Sequence, residues 1–335
     1  MSTLQTTEAL ATPDATTSDE QQANQRNLFR RLISSPQMLV GLIILIVFAL
    51  AAVLGPIFIP NPNAIVGGSL EPPSLRFLLG TTQSGQNVLS QLIVSAQGTL
   101  IVGFAAGIIA TILSLAIGIG GAFIGGFTDD VLNLITNVFL VIPALPLIII
   151  ITADLSTKGN STSIIVIAIT SWAGGARVLR GLTLSMRSRD YVLAARVAGE
   201  KTWRIVIIEV LPNLLAFILS SFIFSVVFAI LTQAGLAFIG LESPSTQTWG
   251  NMLYFAQNAE ALSSGAWWWF VPPGLCIALV GTALTLINLG LDTVINPKLG
   301  AATRMRRGRK VAAPSAGSGD TTEMDNASDR EETVP

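Results

Sequence analysis

Residues 99–124 read TLIVGFAAGIIATILSLAIGIGGAFI, an uninterrupted run without a charged side chain. An apolar run of about 20 residues makes a helix long enough to cross a hydrocarbon core about 30 Å thick. Five further runs of similar length lie near 38–59, 131–153, 163–182, 213–234 and 270–293. Arg177, Arg180 and Asp292 are the charges inside them, each towards one end of its run. The fold class that follows is an all-α membrane protein with six transmembrane helices. Composition agrees: 12% of the 335 residues are charged, against about 25% in soluble domains.

The same composition excludes several functions. Lys and Arg number 19 against 20 Asp and Glu, so no basic excess is available for nucleic acid. There is no histidine, and Cys276 is the single cysteine. His-based acid–base catalysis, the Ser-His-Asp triad and a His/Cys zinc site are therefore ruled out. No ionisable group sits near an expected bilayer centre, which argues against a carrier driven by buried charge. A stand-alone channel or carrier whose site uses backbone groups stays open as an alternative. An intramembrane enzyme would need paired carboxylates or a Ser–Lys pair. The adjacent acids Asp129 and Asp130 are expected instead to cap the third helix.

Charge sets the orientation. With a cytoplasmic N-terminus, one side of the membrane holds 17 of the 19 basic residues, and the other keeps Arg76 and Lys158. This bias places both termini in the cytoplasm of a multi-pass protein of the cell membrane. Ala49-Leu50-Ala51 fits a cleavage pattern, but the long polar leader and long apolar run argue for an anchor. Residues 1–27 form an expected disordered tail, 28–98 the first helix and an outer loop, and 99–297 a core with five helices. Residues 298–335, basic and then acidic, form a second expected disordered tail.

Within the spans, Gly103/Gly107 and Gly121/Gly125 each make Gly-x-x-x-Gly, a face for close helix approach within this chain or with a partner. Pro143 and Pro146 are expected to bend the third helix. Outside the spans, Val88, Leu89, Leu92 and Ile93 recur at helical spacing beside Gln86, Gln91 and Gln97, which suggests a short amphipathic helix on the outer interface. Trp249 and the run Trp267-Trp268-Trp269 read as an aromatic belt, or as a docking or sugar-stacking surface.

The most informative polar stretch is DYVLAARVAGEKTWRIVIIEVLPN, residues 190–213, between the fourth and fifth helices. Asp190 can open a short helix and Gly199 can close it. Ala194, Ala195 and Ala198 offer small surfaces, with Tyr191 and Val192 as larger anchors, and a second helical stretch runs from Thr202 to Pro212. Such an elbow suits a groove on another protein. An ordinary amphipathic connector fits the pattern equally.

This stretch resembles the cytoplasmic coupling loop of ATP-binding-cassette importer permeases, Glu-Ala-Ala-x3-Gly-x9-Ile-x-Leu-Pro. It aligns as Leu193-Ala194-Ala195-x3-Gly199-x9-Glu209-x-Leu211-Pro212. The departures are Leu193 for the usual Glu and Glu209 for the usual Ile. Residues 79–90, Gly240-Leu241, 249–253, 273–275 and 288–297 resemble the dipeptide/oligopeptide/nickel branch, in its dipeptide-permease C-type subunit. Here Gln86 and Asn87 stand where Arg and Asp are usual.

The resemblance implies a type I importer permease in the lipid bilayer, paired with a homologous permease, two ATPase subunits and an external solute-binding protein. The implied coupling residues are Tyr191, Val192, Leu193, Ala194, Ala195, Gly199, Glu209, Leu211 and Pro212. Gln86, Asn87, Trp249 and Asn251 are the implied outer docking residues. The implied solute is a peptide. Gln86 together with the Gly265–Trp269 run resembles branch members for oligosaccharides, and this remains an alternative. ATP and Mg belong to the partner ATPases, with no cofactor on this chain. Lys201 is the one lysine followed by Ser or Thr, and Ala195 and Glu200 occupy the glycine positions of a phosphate-binding loop.

Overall fold

In hydrocarbon, a backbone N–H or C=O finds no water to bond, so apolar segments satisfy their polar groups internally as helices. The computed structural model describes residues 35–155 and 157–295, and the two expected tails lie outside them. In chain order the helices are α1 (Pro36–Phe58), α2 (Val88–Ile124), α3 (Gly126–Val141), α4 (Ala144–Asp154), α5 (Asn160–Arg187), α6 (Asp190–Val197), α7 (Thr202–Phe238), α8 (Trp249–Asn258) and α9 (Trp267–Ile295). Five are long and apolar enough to cross a membrane, and six spans result when α3 and α4, bent by 88°, are taken as one. The expected all-α, multi-pass architecture is the one found, and the expected six spans are reached with α3 and α4 counted as one.

Three elements differ from expectation. No separate interfacial helix forms near residue 88. The Asn87 side chain caps α2 by accepting from the amides of Leu89 at 2.9 Å and Ser90 at 3.4 Å. With nucleation there and no breaker before Gly125, the amphipathic turns become the first turns of a 37-residue helix. The third span begins earlier, at Gly126, and is broken by 88° between Val141 and Ala144. Pro143 sits in that break. Pro146 lies in the first turn of α4, where a missing N–H costs little. The acids do not cap α3 either. Asp129 accepts two bonds from Arg180, Nε at 2.7 Å and Nη2 at 2.8 Å, because a guanidinium fork satisfies a carboxylate better than helix amides do.

Packing is glycine-mediated. A Cβ on Gly103 would run into Ile230, and one on Gly107 into Val226, so this pair brings α2 against α7 of the same chain. Gly41 faces the Ala283 carbonyl and Gly290 faces Met38, which does the same for α1 and α9. Trp249 is fully buried in the largest apolar cluster, beside Val88, Val226 and Val280. It donates its indole N–H to the Leu92 carbonyl at 2.9 Å. Trp268 and Trp269 are also buried, whereas Trp267 is 54% exposed, so an interfacial belt is limited to Trp267.

Gly103→Val should cost about 1–3 kcal/mol by overpacking the α2–α7 contact. A thermal melt of the detergent-purified protein should show a lowered midpoint. Gly120→Val, built where a Cβ meets nothing within 4 Å, should leave the midpoint close to wild type.

Candidate functional site

The elbow is shaped by a helix stop and a local widening of the next helix. α6 ends where Gly199 turns left-handed, at φ +80°. The Gly199 amide donates to the Arg196 carbonyl at 3.0 Å and the Glu200 amide to Ala195 at 3.1 Å. These paired bonds satisfy carbonyls that the helix end would leave open, and the positive φ suits glycine. α7 then starts at Thr202 and passes through a π-turn, Val206–Val210. Pro212 brings no N–H and a ring that crowds the preceding turn. The wider π-turn accommodates that ring, and Asn213 Nδ2 donates to the Glu209 carbonyl at 2.6 Å.

One face of the elbow is anchored. Val192, Ile205, Val210 and Leu214 are buried together with Ile119, Phe123 and Leu179, on the ends of α2 and α5. The Arg196 guanidinium lies 5.1 Å from the Phe123 ring centroid, and Arg187 Nη1 donates to the Ala122 carbonyl at 3.1 Å. The Arg180–Asp129 pair ties α5 to the start of α3 beside them. The other face is bare: Tyr191, Leu193, Val197 and Trp203 are 39%, 45%, 90% and 62% exposed. Between α6 and α7 lies a groove of about 410 Å³, lined by Tyr191, Ala194, Ala195 and Glu209 among others. Val192 points inward, Leu211 is half-buried against the anchoring cluster, and Pro212 and Gly199 are exposed away from the groove.

At the opposite end of the spans, Gln86 and Asn251 share a recess of about 350 Å³ with Gln83, Gln247, Phe255 and Trp269. Every side chain lining it is uncharged. Gln86 Nε2 donates to the Asn63 carbonyl at 3.0 Å, and Gln86 Oε1 accepts from Gln91 at 2.7 Å. Asn251 Nδ2 donates to the carbonyls of Ser243 and Thr246 at 2.8 and 2.9 Å. Asn87 and Trp249 lie outside the recess, one capping α2 and the other in the core.

Sequence reasoning missed Glu242, which is 4% exposed beneath this recess. It accepts from Gln233 Nε2 at 2.6 Å, Thr248 Oγ1 at 3.1 Å and Ser163 Oγ at 3.5 Å. Burial pushes its carboxyl pKa above the ordinary 4.5, while the three donors pull the other way. The cluster joins the start of α5, the end of α7 and the cap of α8. One signal was available: Glu242 is the single charged residue between Glu209 and Glu260. Among the described residues, no three His, Cys, Asp or Glu side chains gather as for a metal.

Apolar spans with a bare elbow at one end and an uncharged recess at the other define a multi-pass membrane component. Residues 111–301 match the family described as binding-protein-dependent transport system inner membrane component, and 26–73 match the N-terminal transmembrane domain of oligopeptide transport permease C. A Brucella suis protein provisionally named a peptide transport system permease protein is 36% identical, over 81% of this chain and 90% of its own. The oligopeptide transport system permease protein OppC of Bacillus subtilis is 31% identical, over 80% and 88%. The di/tripeptide permease DppC of Pseudomonas aeruginosa is 35% identical, over 69% and 75%. A chain of the MetNI methionine ABC transporter, solved in inward-facing conformations, aligns at a TM-score of 0.48 and 17% identity, over 60% of this chain and 96% of that one. The chain belongs to the binding-protein-dependent ABC importer permeases and, within them, to the peptide-type, C-subunit-like branch. It is a multi-pass inner-membrane permease component that works with ATPase partners.

Arg180→Met should leave Asp129 unpaired and cost about 1–3 kcal/mol, less than the loss of a fully buried pair. Arg180→Lys should recover only part of that in a detergent melt, since an ammonium lacks the two-pronged geometry. Glu242 has the opposite sign from a paired surface acid. Its folded pKa is raised, so its contribution is largest below the unfolded value and is lost as pH rises through the folded value. The melting midpoint should therefore gain from this group as pH falls from neutral towards 4.5, and Glu242→Gln should flatten that part of the profile.

Proposed function

We propose that this chain forms half of the translocation pathway of a peptide importer and receives an ATPase subunit on its elbow. A homologous permease completes the pathway, two ATPases dock from the cytoplasm, and an external binding protein delivers solute at the recess. In this reading both termini and the elbow face the cytoplasm. The observation that carries it is the two-sided elbow: Tyr191, Leu193, Val197 and Trp203 are bare, while Val192 and Ile205 are locked into the ends of α2 and α5. A push on the bare face therefore reaches the spans directly. Leu193 makes the contact apolar, so the docking there relies on burial of surface rather than on an ion pair.

The names of the relatives favour peptides. The uncharged, amide-lined recess favours a second reading, an oligosaccharide delivered by the same machinery. Stimulation of ATP hydrolysis in the reconstituted complex by a peptide or by an oligosaccharide separates the two.

Gly199→Arg should reduce ATP-dependent uptake to background with membrane insertion unchanged. The bulk falls in open space on the exposed turn, and a side chain at φ +80° also adds strain of about 1–2 kcal/mol. Gly199→Asn, which tolerates that conformation, should keep most of the uptake. Normal uptake by Gly199→Arg would remove the elbow from the coupling contact.

A further inference from the structure

We propose that the break in the third span is a solute-binding station on the pathway wall, suited to neutral groups that both donate and accept hydrogen bonds. This rests on the importer reading above and gives it a place within the membrane. The break has 16 helical residues before it and 11 after, so it falls well inside the span. Pro143 has no N–H, so the Phe139 carbonyl loses the donor that a continuous helix would supply. The last bond of α3 runs from the Ile142 amide to Val138, at 3.3 Å, and the first of α4 from Leu147 to Pro143, at 3.2 Å. Among the described residues, no bond closes the gap between them, so carbonyls at the end of α3 and amides at the start of α4 are left open. Lipid cannot satisfy them. Irregular backbone at membrane depth persists only against protein or a water-filled space.

That space is present. A cavity of about 280 Å³ adjoins the break, lined by Phe139 and Pro143, by Ser171 of α5, and by Phe224, Ser225 and Phe228 of α7. None of its lining side chains is ionisable. Ser171 donates its hydroxyl proton to the Ile167 carbonyl at 2.7 Å, and Ser225 donates to Ser221 at 2.9 Å. Both therefore turn lone pairs, not protons, to the cavity. With the open carbonyls of α3 they accept, and the open amides of α4 donate. The phenylalanine rings supply apolar contact between these polar groups. A peptide amide or a sugar hydroxyl meets every one of these requirements. A carboxylate meets no cation there.

The chain's single cysteine makes the test clean. In a Cys276→Ser parent, assembled with its sister permease, ATPases and binding protein in vesicles, Ser171→Cys and Ser225→Cys should be labelled by a membrane-impermeant thiol reagent. Val47→Cys, on the exposed face of the unbroken α1, should not. Excess dipeptide or oligosaccharide during turnover should reduce labelling to the Val47→Cys level, and whichever protects identifies the solute. Both serine positions remaining unlabelled in resting, ATP-bound and vanadate-trapped states, while the parent still imports, would overturn the station. Labelling that neither solute protects would overturn its assignment to such solutes. Labelling of Ser171→Cys and Ser225→Cys in a parent that imports neither solute would instead count against the importer reading.

Discussion

A peptide group stripped of water and left without a partner is among the most costly features a membrane protein can carry, and avoiding it shapes this chain. Most of the spans meet the constraint with continuous helix, which is why α2 runs unbroken from Val88 to Ile124. The third span departs from it at Pro143, the helix ends at Gly199, and α7 widens before Pro212. Each departure has a different remedy. Gly199 closes its helix with backbone bonds on an exposed turn, and Pro212 is accommodated by the π-turn and by Asn213. At Pro143 no internal remedy is found among the described residues. The two irregular points closed internally belong to the elbow, and the break at Pro143 borders the cavity.

The elbow acquires mechanical meaning from what lies behind it. α6 is short and ends in open space, so on its own it would be a poor lever. Val192 and the Arg196–Phe123 contact fix it to α2, and Arg187 and the Arg180–Asp129 pair fix the neighbouring ends of α5, α2 and α3. Four span ends therefore move together with the groove between α6 and α7. Such linkage is what a permease requires if hydrolysis on one subunit is to alter the helices of another.

The spans were legible because membrane crossing needs only length and an absence of charge, both visible in one dimension. Gly199 was legible for a related reason: a left-handed turn is a local demand that one residue type meets. The polar turns near Gln91 read as an interfacial helix because sequence cannot tell an outer surface from the underside of an ordered loop. There, Gln91 bonds Asn63, 28 positions away. Local sequence points to a cap at Asp129 because its true partner lies 51 residues further on, and no local pattern announces such a pair. Trp249 read as surface for the same reason, its indole partner being Leu92, 157 positions distant.

The placement of charge also bears on how the spans can move. Charged side chains make their structural contacts at the two ends: Asp129, Arg180 and Arg187 beside the elbow, and Glu242 beneath the recess. Between them, α2 meets α7 through Gly103, Gly107, Ile230 and Val226, surfaces without a polar side chain. Sliding one apolar face over another leaves no buried donor or acceptor unpaired, whereas sliding past an ion pair would. The α2–α7 contact can thus shift at small polar cost, whereas α2 and α5 are tied by the buried bond from Ser114 Oγ to the Trp172 carbonyl at 2.7 Å. For a transport component, that arrangement allows α7 to shift against α2 without a charge having to cross the membrane interior.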